Sequence, residues 1–119
     1  MSEGIREYNV CALTEIDDPG AKEIVMQDKD ETWYGFLVRK GDNVYAYLNS
    51  CPHTGAMLNW GPDKFLTRDK SLIMCSVHGA IFEMDSGVCI AGPCKGRGLR
   101  SLDVVLKDGR VIVSLDKLR

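Results

Sequence analysis

The sequence predicts an all-β domain, and three observations carry that expectation. Apolar residues alternate in short runs, turn-forming residues separate those runs, and no segment sustains the period of a long amphipathic helix. The composition agrees with a folded globule: 119 residues, 45% hydrophobic, 27% charged and 4 prolines. A single domain over 1–119 is expected, because that length suits one core that needs neither disulfides nor a metal merely to hold together.

The strand candidates follow in chain order. Tyr8 to Leu13 and Glu23 to Met26 supply the first two. Trp33 to Lys40 runs into the turn formers Gly41, Asp42 and Asn43, and an alternating segment follows, so 32–49 reads as a hairpin. Within it Val44, Ala46 and Leu48 share one face, while Tyr45 and Tyr47 share the other. The C-terminus repeats the device: Leu102, Val104 and Leu106 alternate, Asp108-Gly109 turns the chain, and Val111, Val113 and Leu115 alternate back. Between these strand pairs, about 50–98, the chain is rich in Gly, Pro, Cys and His. So long a stretch of loop chemistry inside a small domain points to function.

Charge excludes some roles. The net charge is −2, with the first 50 residues at −5 and the remainder at +3, so nothing suggests a nucleic-acid partner. The opening MSEGIREYNV lacks the apolar core of a leader, and no apolar run approaches the ~18 residues that span a bilayer. A cytoplasmic protein without membrane contact is the expectation. Lys95, Arg97 and Arg100 fall within six positions, either a solvated loop or a docking patch for an acidic partner.

Five cysteines need another explanation than a disulfide framework, which an odd number and the absence of a leader argue against. Both histidines sit just after a cysteine, in Cys51-Pro52-His53 and Cys75-Ser76-Val77-His78, and glycines follow at Gly55 and Gly79. Two thiolates and two imidazoles suit zinc or a 2Fe-2S cluster. Zinc fingers usually draw two cysteines from one knuckle and two histidines from the other. Here each loop offers one of each, which is what a cluster requires if two cysteines hold one iron and two histidines the other. A cluster of four thiolates using Cys89 and Cys94 would leave the histidines idle and fits neither common ferredoxin spacing. Cys11 lies in a strand pattern and reads as a small buried hydrophobe.

The segment CPHTGAMLNWG followed by CSVHGAIFEMDSGVCIAGP resembles the Rieske 2Fe-2S family. The likeness rests on the Cys-x-His and Cys-x-x-His-Gly motifs, Phe82 after the second, a turn carrying Asp85 and Gly87, and a Gly92-Pro93 loop. It implies an antiparallel β-sandwich bearing a loop-rich cluster-binding subdomain over about 50–98. It also implies one Rieske-type 2Fe-2S cluster per chain, with Cys51 and Cys75 on the inner iron and His53 and His78 on the outer one. Pro93 would lie on a third loop covering the cluster. The 54–74 interval is longer than in small Rieske ferredoxins, and the extra length is placed at Pro62 to Ser71 as a surface excursion. Respiratory-type members carry a loop disulfide where this chain has Ala56 and Val77, and a serine where it has Ala80. Fewer hydrogen bonds to the cluster place the expected potential near roughly −150 mV and not about +300 mV.

The resemblance implies an electron carrier and not an enzyme: a monomeric ferredoxin between a flavin-dependent reductase and a terminal oxygenase, with no room for a catalytic oxygenase domain. A small Rieske subunit of a larger reductase and a zinc-binding interaction module are the competing readings. A redox role for Trp60 or Phe65 competes with ordinary packing.

Overall fold

The computed structural model describes residues 7–28, 31–52, 55–76, 79–93 and 96–115. Among them, the strands are β1 (Glu7–Ala12), β2 (Gly20–Asp28), β3 (Glu31–Lys40), β4 (Asn43–Leu48), β5 (Ile73–Met74), β6 (Ile81–Phe82), β7 (Cys89–Ala91), β8 (Ser101–Lys107) and β9 (Arg110–Ser114). The one helical element there is a 3₁₀ turn, Leu13–Glu15. Every strand pair is antiparallel. A six-stranded sheet runs β1-β9-β8-β4-β3-β2, and a three-stranded sheet runs β5-β6-β7.

The large sheet folds on itself because its two halves bury apolar residues against each other. Cys11, Val111, Val113 and Leu115 meet Ile24, Met26, Leu37, Ala46 and Leu48 in one core. Few ladder pairs join the halves, Ala46 to Leu102 and Tyr47 to Ser101, and this leaves the sheet free to bend there. The C-terminal hairpin closes as its sequence predicts, with Asp108 and Gly109 at φ 54 and 77 between paired Lys107 and Arg110. Its inner face differs from the simple alternation. Leu102 is buried, but Leu106 is 40% exposed because the end of β8 runs past the core.

The second core lies on the other side of β3 and β4. Phe36, Val38 and Tyr47 pack there with Leu58, Phe65, Ile73, Phe82 and Leu99. The consecutive run Phe36-Leu37-Val38 is thus buried on both faces, as an unbroken apolar run in a central strand requires. The Tyr47 hydroxyl crosses into this core and donates to the Met84 carbonyl at 2.7 Å.

The segment Pro62 to Ser71 departs from the expected surface excursion. Phe65 is fully buried and stacks on Phe36 with ring centres 4.3 Å apart. Leu66 bridges to Ile73, and Asp63 accepts a 2.8 Å hydrogen bond from the Glu23 N–H at the edge of β2. Pro62 to Lys64 and the turn at Arg68 to Ser71 stay exposed on either side of the buried pair Phe65 and Leu66. In that turn the Asp69 carboxylate accepts from the Thr67 hydroxyl and from the Ser71 hydroxyl and N–H, and these bonds hold its carboxyl below the ordinary range.

Candidate metal centre

Two cysteine turns of the same design lie on the second core. In the first, the Cys51 N–H donates to the Ala56 carbonyl at 2.8 Å and the Gly55 N–H returns to the Cys51 carbonyl at 2.7 Å. In the second, the Cys75 N–H donates to the Ala80 carbonyl at 2.8 Å and the Gly79 N–H returns to the Cys75 carbonyl at 3.0 Å. Each glycine stands four positions after its cysteine with a left-handed backbone, φ 80 at Gly55 and 69 at Gly79. Nothing crowds either Cα, so the dihedral angle and not a lack of room selects glycine.

Both cysteines are buried as thiols, Cys51 at 3% and Cys75 at 0% exposure, and both belong to the same packed cluster. Leu58 joins the two turns: its carbonyl accepts from the Ser76 N–H at 2.9 Å, and its own N–H donates to the Asn49 side-chain oxygen at 2.7 Å. Asn49 is buried and also donates to Asn59 at 3.0 Å, so it fixes the chain on both sides of the first turn. No motif singles out Asn49 in the sequence, because an asparagine at the end of a strand looks like any turn former. The matched Cys-to-Gly spacing of the two turns is legible there.

The third loop packs over the second turn. A side-chain carbon added to Gly92 would lie 2.8 Å from the Ala80 Cα, so only glycine allows this approach. Pro93 follows and is exposed, whereas Ala80 is buried. Cys89, at the loop base, is buried in the same core, with its Sγ 3.2 Å from the Ala91 carbonyl oxygen. Cys11 is remote from all of this in the sandwich core, where burial first and Glu15 second push its thiol pKa up. Phe65 is a packing residue, whereas Trp60 is 57% exposed with the Lys64 ammonium 5.6 Å from its ring centre.

Of the expected ligands, Cys51 and Cys75 lie in these two turns, and His53 and His78 lie outside the described residues, as do Val77, Cys94 and Lys95. Among the described residues alone, no three His, Cys, Asp or Glu side chains converge on one point. The part that is described suits an iron–sulfur cluster. Two buried thiols held by matched turns in an apolar setting are soft donors on a rigid frame.

Comparisons with known proteins agree. Ferredoxin CarAc of Metapseudomonas resinovorans is 34% identical over 81 residues, spanning 68% of this chain and 70% of that protein. A solved complex of reduced oxygenase and oxidized ferredoxin in carbazole 1,9a-dioxygenase contains a chain that matches with a TM-score of 0.72. The identity is 26%, over 91% of this chain and 92% of that one. The ferredoxin of carbazole 1,9a-dioxygenase from Nocardioides aromaticivorans IC177 matches with a TM-score of 0.69 and 26% identity, covering 90% and 95%. With residues 6–111 fitting the pattern of the Rieske [2Fe-2S] domain, the chain belongs to that family, and its cofactor is a Rieske-type 2Fe-2S cluster.

Proposed function

We propose that this protein is a one-electron carrier, the ferredoxin component that passes electrons from a flavin-dependent reductase to a terminal oxygenase. The observation that carries the reading is the pair of matched turns holding Cys51 and Cys75 in one apolar core. The relatives named ferredoxins, one of them solved with an oxygenase, support the assignment of partners. In this proposal Cys51 and Cys75 ligate the inner iron and His53 and His78 the outer one. The whole chain, 1–119, forms one Rieske domain with its cluster-binding part at about 50–98.

The bound cluster supplies reversible one-electron chemistry. The chain's residues supply the rest. The backbone bonds of the two turns fix the cysteine sulfurs, Leu58 and Asn49 hold the turns together, and the burial of Cys51 and Cys75 keeps water from the sulfur side. The protein acts as a cytoplasmic monomer, and the basic residues Lys95, Arg97 and Arg100 meet an acidic patch on its partner. No helix among the described residues is long and apolar enough to cross a membrane.

An EPR spectrum of the purified, reduced protein tests the assignment. A spectrum of mixed cysteine–histidine ligation is expected, and H78C should convert it to that of an all-cysteine cluster or abolish it. A wild-type spectrum that H78C leaves unchanged, or a colourless protein holding zinc, would overturn the ligand set.

A further inference from the structure

The loop that follows β7 is fastened to the rest of the site in three places. At its base the Cys89 N–H donates to the Arg97 carbonyl at 2.8 Å, and the Gly96 N–H returns to the Cys89 carbonyl at 3.4 Å. Along its length Gly92 lies directly against Ala80 of the second cysteine turn. At its far side the Arg97 guanidinium donates from Nη1 to the Pro52 carbonyl oxygen at 3.2 Å, inside the first cysteine turn. Arg97 therefore connects β7 through its main chain with the first turn through its side chain. The side chain meets a carbonyl and not a carboxylate, so its full positive charge stays beside the turn that carries Cys51.

We propose that Arg97 is a positioning residue that latches the third loop onto the first cysteine turn and raises the redox potential of the centre held there. The proposal rests on the reading that the two turns carry the cluster. A fixed positive charge favours whichever state of a nearby redox centre is more negative, and that is the reduced state. Because Arg97 is exposed, mobile ions weaken this effect, and salt should erode it. The latch has a second consequence. With Pro52 tied to Arg97, opening the first turn must also break this bond, so the hydrogen bond slows loss of iron from the site.

Holoproteins carrying Arg97→Gln, Arg97→Ala and Arg97→Lys separate these effects, and the exposed position lets all three fold. R97Q is expected to have a more negative midpoint potential than wild type in dilute buffer, with the difference shrinking toward about 1 M salt. R97K, which keeps the charge, should retain the wild-type midpoint. Release of iron to a chelator should be about fivefold faster in R97Q and R97A, as loss of one exposed hydrogen bond from a charged donor implies. An R97Q midpoint equal to that of wild type in dilute buffer overturns the electrostatic role, and unchanged iron release overturns the latch. A wild-type protein without a mixed-ligand spectrum would instead remove the cluster reading itself, whereas a normal wild-type spectrum with unmoved variants defeats this proposal alone.

Discussion

Tyr47 is the residue on which the second core depends most visibly. Its ring packs with Phe36 at 5.8 Å between centres, and its hydroxyl donates to the Met84 carbonyl. Burial, then Asp85 and Tyr45, push its pKa far above the ordinary 10.0. Tyr47→Phe leaves that carbonyl without its donor and is expected to cost about 1–3 kcal/mol in a urea denaturation experiment. The sign of the pH effect follows from the raised pKa. The unfolded tyrosine ionises first, so the contribution is complete below pH 10.0 and declines above it. Wild type should therefore lose stability above about pH 10 more steeply than Y47F, and parallel profiles there would contradict the assignment. The sequence correctly places Tyr47 opposite Val44 and Ala46. It does not show that this second face is buried too, because the acceptor lies 37 positions away. Asn49 was hidden for the same reason: what it holds, Leu58 and Asn59, is revealed only by the folded path of the chain.

Elements differ in how clearly the sequence announces them. The hairpins β3–β4 and β8–β9 combine strands rich in apolar and β-branched residues with two-residue turns, and both are visible before folding. Strands β5, β6 and β7 have two or three residues each, too few for a period to emerge, so the stretch 50–98 reads as loop. Phe65 and Leu66 were misplaced at the surface because their partners, Phe36 and Ile73, come from other elements. In the third loop, Gly92 lies against Ala80 of the second cysteine turn. Gly92→Ala combines φ 101 with a 2.8 Å contact on the Ala80 Cα, so the loop must lift. The expected outcome is lower iron and sulfide content per chain on purification, with the far-UV spectrum unchanged. Full cluster occupancy would show that the loop yields without disturbing the site.

At the scale of the whole molecule, the chain builds two cores on opposite faces of β3 and β4, and only one of them contains Cys51 and Cys75. Removal of the cluster should therefore act unevenly. Amides of Leu37, Val111 and Val113 are expected to stay protected from hydrogen exchange in the metal-free protein, while the turns at 51–56 and 75–80 lose protection. Simultaneous loss in both regions would mean that the cluster supports the entire fold. The shared wall has one more consequence. Because the same two strands line both cores, no hinge separates them among the described residues, and if the cysteine turns carry the electron as proposed, they cannot swing on a tether toward an acceptor. Each delivery must then be made by the whole protein, which collides, transfers and departs. The pace of the electron relay would be governed by how quickly one partner lets go so that the next can bind.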